Sequence, residues 1–211
     1  MPTISVTFTD YTAIFNNTAI VSDMHLGYPR EITAVNTMKK RLLSLIHSHS
    51  INKICFNGDT FHDFPFYQDG INMISDIQNE TNIDIICTVG NHEEKVGGLT
   101  SQDVSFNCNV VNEFVFTHNN KKVTAFHGHK TPTNPADIFV IGHIHPEVKN
   151  GAITYPCVLY KQNAYHKSDV IILPSFGQLS SQSDYTTVPT NHAPIIKDGA
   201  DITTYSVAQK F

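Results

Sequence analysis

The 211-residue sequence has no apolar run of about 18 residues or more, the length that a transmembrane helix needs. Its first residues, Met1 to Val6, also lack the basic and continuous apolar regions of a signal peptide. These two absences favour a cytoplasmic setting and give no reason to expect a membrane partner.

Arginine is scarce, since the chain contains only Arg30 and Arg41, and the formal net charge is −5 at pH 7. Binding of duplex nucleic acid through a large basic surface is therefore not expected. A nucleic-acid substrate remains compatible with the sequence, because two bound divalent ions would add about +4 charges locally.

The four cysteines show no C-x-x-C spacing. Cys55 and Cys87 each lie three residues before a glycine that ends an apolar run, which is typical of small core residues. We expect neither a disulfide framework nor a thiolate metal site.

What the sequence does contain is a regular series of apolar elements, with 40% apolar residues, enough for the core of one domain. The first half predicts a hairpin over 3–21, a helix over 31–49, a strand over 51–56, a helix over 69–80 and a strand over 83–89. Residues from 97 onward predict a loop. The rest predicts a hairpin turning at Asn119-Asn120 and strands over 138–141, 153–160, 170–173 and 202–207.

This order predicts an α/β first half, with parallel strands and crossover helices, joined to an antiparallel second half. The expected architecture is a four-layer α-β-β-α sandwich of two mixed β-sheets, with residues 1–211 forming a single domain. On the first helix, Lys39, Lys40 and Arg41 predict a solvated face.

Five of the predicted strands end in side chains of metal-ligand type. These residues are Asp23, His25, Asp59, Asn91, His127, His143 and His145. In extended chain, residues i and i+2 point the same way, so Asp23 and His25, and likewise His143 and His145, should each face one point. The sequence therefore predicts a metal site at the carboxyl ends of the strands.

Oxygen and imidazole ligands without thiolates suit Mn first, with Fe, Zn or Ni as alternatives. Two such ions about 3.5–4 Å apart can clamp a phosphoryl group and supply a bridging hydroxide for in-line attack. Asp59 is the candidate for the bridging carboxylate. A centre of this charge favours an anionic substrate.

The chain resembles the calcineurin-like metallophosphoesterase superfamily in five motifs that follow the order of that family. They are Asp23-Met24-His25, Gly58-Asp59, Gly90-Asn91-His92-Glu93, His127-Gly128-His129 and Gly142-His143-Ile144-His145. The resemblance implies that Asp23, His25 and His145 bind one metal, that Asn91, His127 and His143 bind the other, and that Asp59 bridges. It also implies that His92 is the general acid and Glu93 its orienting partner.

A finer resemblance is to small Icc-like and DNA-ligase-associated phosphoesterases, through Gly58-Asp59-Thr60-Phe61-His62 and the late Ile172-Leu173-Pro174-Ser175-Phe176. His62 is similar in position to a histidine of the repair nucleases that helps to position the phosphate. The chain is too short for the DNA-binding cap of those nucleases, so it is similar to a bare catalytic core.

Several residues have two interpretations. Arg30 and Lys130 follow ligand motifs and could contact a substrate phosphate or lie on an ordinary surface. Phe61, Phe64, Phe66 and Tyr67 could stack a base or fill the core. His129 is expected to be a neighbour of the metal site rather than a ligand.

The function expected from these features is that of a two-metal phosphodiesterase acting on nucleotide or nucleic-acid phosphoesters. The alternatives are a phosphomonoesterase and, in a different class, a non-catalytic scaffold that binds a partner protein on the same fold. The sequence is compatible with a homodimer.

Overall fold

The computed structural model describes residues 5–28, 32–62, 68–95, 104–150, 152–177 and 202–206. The first sheet contains β1 (Thr7–Thr9), β2 (Thr12–Phe15), β3 (Thr18–Val21), β4 (Lys53–Asn57), β5 (Asp84–Thr88) and β6 (Cys108–Val111). The helices are α1 (Ile32–Ser48), α2 (Gln68–Thr81) and α3 (Asn91–Lys95). The second sheet contains β7 (Phe114–His118), β8 (Lys121–Ala125), β9 (Ile138–Ile141), β10 (Glu147–Asn150), β11 (Ile153–Tyr165), β12 (Ser168–Ile172) and β13 (Ile202–Ser206).

The first sheet follows the order β1-β2-β3-β4-β5-β6. Its first three strands are antiparallel, whereas β3, β4, β5 and β6 pair in parallel, with α1 and α2 as crossover helices. This confirms the predicted order of strands and helices from β3 to β5. The single hairpin predicted over 3–21 is wrong, because the chain turns a second time at Asn16, which has positive φ, and forms three strands. The stretch predicted as a loop also contains β6, which is only four residues long and shows too little alternation to be recognised in the sequence.

The second sheet follows the order β10-β11-β12-β9-β8-β7, with β13 paired to β11. The predicted hairpin is confirmed, because β7 and β8 are antiparallel and turn at Asn119 and Asn120, both with positive φ. The prediction of an antiparallel second half is wrong at its centre, where β9 is parallel to both β8 and β12. No described helix joins these parallel strands, so the sequence lacked the usual signal for them.

Three apolar clusters reflect the alternation of side chains along the strands. Ile20, Cys55 and Ile86 of the first sheet pack with Val140 and Ile171 of the second, which places a core between the sheets. The opposite face of the first sheet packs against both long helices. The outer face of the second sheet forms its own apolar cluster. Among the residues that the structure describes, none forms the helix that was predicted to cover this face.

The two mixed sheets and flanking helices confirm the predicted fold class. All four cysteines are free and buried, as expected. Within the described ranges, no helix is both long and apolar enough to cross a membrane.

Arg41 departs from its predicted solvated position on α1. Its guanidinium donates to both carboxylate oxygens of Asp10 and to the carbonyl of Phe176, at 2.7–3.2 Å. It also lies 3.8 Å from the centre of the Phe176 ring. Arg41 therefore joins α1 to the β1–β2 turn and to the segment that follows β12.

Candidate metal centre

The carboxyl ends of β3, β4, β5, β8 and β9 meet at one edge of the molecule, and the seven predicted ligands lie there. Two groups of donor atoms form, each within 4.8 Å. They are Asp23, His25 and His145 in one group, and Asp59, His127 and His143 in the other. The sandwich of two sheets therefore brings together side chains that are up to 122 positions apart in the chain (Asp23 to His145).

In the first group, the Nε2 atom of His145 lies 3.1 Å from Oδ1 of Asp23 and 3.3 Å from Nε2 of His25. Both carboxylate oxygens of Asp23 also accept from the backbone N–H of His143. The loop after β9 is thus attached to the loop after β3.

In the second group, Nε2 of His127 lies 3.0 Å from Oδ1 of Asn91, 3.2 Å from Nδ1 of His143 and 3.2 Å from Oδ2 of Asp59. The same Oδ2 atom is 3.9 Å from Nε2 of His25 in the first group. Asp59 therefore faces both groups, and Asn91 joins the second.

The backbone at these positions is not extended. Asp23, His25, Asp59, His143 and His145 all have φ between 46° and 67°, in the left-handed region that such residues rarely adopt. Alternation along an extended chain is therefore not what positions these side chains. Asp23 and His25 do join one group, as expected, but His143 and His145 join two adjacent groups rather than facing one point. Backbone strain of about 1–3 kcal/mol per residue is typical of functional sites, where the surrounding structure maintains it.

Two glycines are required by close contacts with these loops. A Cβ at Gly90 would overlap the Asp59 carboxylate and backbone, and one at Gly142 would overlap the side chains of Ser22 and Asp23. The glycines that end the apolar runs thus allow the loops to approach one another.

Comparisons with known proteins agree with this geometry. The sequence model of the calcineurin-like phosphoesterase family matches residues 17–202. This chain belongs to that family.

The chain is also similar to several solved structures, one of which shares the fold. The chain is similar to the nuclease MPE of Pseudomonas putida at 20% identity and a TM-score of 0.66, over 87% of this chain and 88% of that one. It is also similar to an archaeal phosphodiesterase, at 17% identity over 77% of this chain and 87% of that one, with a TM-score of 0.46. The similarity to the phosphoesterase YfcE of E. coli is 18% identity over 75% of this chain and 79% of that one, with a TM-score of 0.46. No curated protein matches the chain in sequence.

The donor set fits the divalent metal centre that calcineurin-like phosphoesterases use. The pKa of His25 is lowered to about 3 and that of His143 to about 4, chiefly by burial, so both imidazoles are neutral near pH 7. Burial raises the pKa of Asp23, but the imidazoles of His145 and His127 lower it more, so this carboxylate is ionised. Neutral imidazoles and buried carboxylates are the states in which these groups bind metal.

The pKa of His127 shows how strongly the negative charges of Asp23 and Asp59 act on a neighbouring imidazole. Burial lowers its pKa, but the carboxylates of Asp23 and Asp59 raise the pKa to about 9. A divalent cation in the second group would take the place of this proton, which is the usual coupling of metal binding to proton release.

His92 lies beside the two groups rather than in them, although the side-chain donors of His25, His62 and His92 also lie within 4.8 Å. Its backbone N–H donates to Oδ1 of Asp59, and its Nδ1 atom lies 3.2 Å from the carbonyl oxygen of His62. Its Nε2 atom is 4.0 Å from Oδ2 of Asp59. The ring therefore presents Nε2 toward the site.

Glu93 has different contacts from those expected of an orienting partner of His92. It is 3% exposed, and its carboxylate accepts from the backbone N–H groups of Asp59, Gly90 and Phe61 at 2.9–3.0 Å. Burial, more than the nearby Asp59 carboxylate, raises the pKa of Glu93. Glu93 thus joins the loop after β4 to the loop after β5.

Two further supporting residues had no predicted role. The Asn57 amide donates to the carbonyl of Phe126 at 2.9 Å and accepts from the Thr88 hydroxyl at 3.1 Å, so it links β4, β5 and the end of β8. Ser175 donates to the carbonyl oxygen of Asp23 at 2.7 Å. Neither Asn57 nor Ser175 differs in the sequence from an ordinary turn residue, so only their contacts identify them.

The remaining predicted residues lie at the rim or outside the described ranges. Lys130 is exposed and pairs with Glu94, and Nε2 of His129 is 3.3 Å from the same carboxylate. Phe61 is buried in the core. Arg30, Phe64, Phe66 and Tyr67 lie outside the described residues. Tyr28, an aromatic residue that had no predicted role, is 47% exposed and packs at a tilt against His62, with 4.7 Å between the ring centres.

Proposed function

We propose that this calcineurin-like phosphoesterase is a dinuclear metal-dependent phosphodiesterase that hydrolyses nucleotide or nucleic-acid phosphoesters. The observation that carries the proposal is the position of Asp59 between two groups of oxygen and nitrogen donors. A carboxylate that faces both groups is what two adjacent cations require, because it offsets their mutual repulsion.

In this proposal, Asp23, His25 and His145 hold one cation, and Asn91, His127 and His143 hold the other. Mn is the expected metal, with Fe, Zn or Ni as alternatives, because the donors are carboxylate, amide and imidazole. When bound, the pair would activate a water molecule and neutralise charge on the phosphoryl group.

The chain's own contribution to proton transfer would come from His92. Its Nδ1 atom faces a backbone carbonyl and therefore carries a hydrogen, so Nε2 is the atom that exchanges a proton with the substrate. As an imidazolium, His92 would protonate the leaving oxygen. His62 and Glu93, expected from the sequence to be catalytic, are proposed instead to support the site through their contacts with His25 and with backbone N–H groups. Arg30 and Lys130 remain proposed contacts for substrate phosphate.

Support for a substrate that carries a base comes from Tyr28. Its ring packs at a tilt against His62, which packs in turn at a tilt against His92 with 4.6 Å between ring centres, so a row of rings leads from the exposed Tyr28 to the proposed general acid. Bases stack on aromatic side chains without requiring a particular sequence. A diester whose leaving group carries a base could place that base against Tyr28.

The proposal is tested by metal analysis of the purified protein and by turnover of bis-p-nitrophenyl and mono-p-nitrophenyl phosphate with added Mn²⁺. We expect about two metals per chain and faster turnover of the diester. Faster turnover of the monoester would identify a phosphomonoesterase instead. Two metals without hydrolysis of any ester would favour a non-catalytic partner-binding scaffold.

The preference for a base is tested with Tyr28→Ala. We expect a higher KM for nucleotide diesters, since base stacking contributes about 1–3 kcal/mol, and little change for p-nitrophenyl phosphate monoesters. Tyr28→Phe, which keeps the ring, is the matched control. An unchanged nucleotide KM in the alanine variant would contradict the role of Tyr28. A cytoplasmic setting, a single domain over residues 1–211 and a homodimer remain predictions from the sequence.

A further inference from the structure

The two ring nitrogens of His25 face different partners. Nε2 points to the first donor group, 3.3 Å from Nε2 of His145. Nδ1 lies 3.0 Å from Nδ1 of His62. A neutral imidazole carries one hydrogen, so Nε2 has a lone pair for a metal only when the hydrogen is on Nδ1.

A metal-binding histidine usually donates its second N–H to a carboxylate or to a backbone carbonyl, which fixes its tautomer and ring orientation. Here the partner is a second imidazole. His62 can accept from Nδ1–H of His25 only through an unprotonated Nδ1, so the hydrogen of a neutral His62 lies on its Nε2. One hydrogen bond therefore specifies the tautomers of both rings.

The backbone around His62 is well positioned for this contact. Its N–H donates to the carbonyl of Leu26 at 2.9 Å, and the N–H of Leu26 donates to the carbonyl of Thr60 at 2.8 Å. The carboxylate of Glu93 accepts a hydrogen bond from the N–H of Phe61. The segment that carries His62 is thus fixed directly beside the segment that carries His25.

The ring of His62 also packs against two other rings, and a test of its role must distinguish this packing from the hydrogen bond to His25. It packs at a tilt between the rings of Tyr28 and His92, with ring centres 4.7 Å and 4.6 Å away. A substitution that removes both the ring and the acceptor would not distinguish hydrogen bonding from stacking.

We propose that His62 is a positioning residue of the first donor group. Its Nδ1 atom accepts a hydrogen bond from Nδ1–H of His25, so that the lone pair on Nε2 of His25 faces the cation. This role rests on the proposed metal centre and differs from contact between His62 and a substrate phosphate. It predicts that His62 controls metal affinity when no substrate is present.

The test is a Co²⁺ titration of the metal-free, full-length protein, followed by visible absorption and calorimetry. His62→Phe keeps a ring for stacking but has no acceptor, whereas His62→Asn places an amide oxygen near the position of Nδ1. We expect His62→Phe to weaken one of the two binding steps about 10–100-fold, the usual effect of losing such a partner. His62→Asn should bind Co²⁺ within about threefold of the unmodified protein, a difference well below that range.

His129→Phe is the matched control, because His129 lies beside the second group, 5.2 Å between ring centres from His127. It should leave the affected step unchanged. The inference is overturned if His62→Phe binds Co²⁺ like the unmodified protein, or if His62→Asn and His62→Phe lose affinity equally. His62→Leu, which also lacks an acceptor, replaces the Phe variant if circular dichroism shows that the latter is unfolded. Since no substrate is used, the result is independent of whether the protein prefers diesters.

Discussion

Glu93→Gln is the substitution that best tests how the site is held together. The carboxylate is almost completely buried, and it accepts three backbone N–H groups, from Asp59 and Gly90 at Oε2 and from Phe61 at Oε1. An amide can keep its oxygen toward the first two donors. Its NH₂ group then meets the N–H of Phe61, so one buried donor loses its acceptor.

The expected loss of stability follows from the one backbone donor that is left without an acceptor. A buried donor without a partner costs about 1–3 kcal/mol. We therefore expect Glu93→Gln to lower the free energy of unfolding by about 2 kcal/mol, and Tm by about 4–8 °C for a chain of this size. Because the displaced donor lies between Asp59 and His62, occupancy of the metal centre should fall as well.

Glu94→Gln is the matched control for this measurement. The same substitution one residue along α3 removes the surface contacts of this carboxylate with Lys130 and His129, and an exposed ion pair is worth about 0–1 kcal/mol. Both variants are compared by urea denaturation, with bound metal measured in parallel. If Glu93→Gln were as stable as Glu94→Gln but had an altered pH dependence of turnover, the carboxylate would instead act on His92, and the reasoning from its backbone contacts would be refuted.

Three further predictions concern separate residues. Asp59→Asn should lower occupancy of both metals, because a neutral amide cannot hold two cations close together; two tightly bound metals by elemental analysis would exclude the bridging role. His92→Asn should retain both metals and lower kcat about 10²–10⁴-fold on an alkyl or nucleotide diester, with a much smaller loss on p-nitrophenyl esters, whose leaving group hardly needs a proton. Loss of metal in that variant would make His92 a ligand. Burial raises the pKa of Glu113, but hydrogen bonds from Thr133 and Asn134 lower it more, so the net pKa is lowered. The ionised form therefore stabilises the fold above the ordinary glutamate pKa, and this contribution is lost as pH falls through the folded-state value. Denaturation at several pH values should show that Glu113→Gln is most destabilising near neutral pH and least in acid; a pH-independent difference would contradict this.

The sequence by itself determined the family, the order of elements from β3 to β5 and the residues that meet at the candidate metal centre. It could do so because each of these signals is local. An apolar run of strand length ends at a polar residue or a glycine, and Asp, Asn or His follows within a few positions, as after β3 and β9. Parallel strands of one sheet end at the same edge, so the location of the site follows from the strand order.

Only the tertiary structure decided how the ligands divide and what supports them. His143 and His145 are two residues apart and join different groups, whereas Asp23 and His25 have the same spacing and join one group, although all four residues have left-handed backbone. The partners of Glu93 and Arg41 lie more than 25 positions away in some cases, and no spacing in the sequence encodes them. The parallel pairing of β9 was equally hidden, because strand direction depends on which distant strands meet in the sheet. Such contacts form only when the two sheets pack together, and for this reason local patterns predicted the donors but not the geometry that holds them.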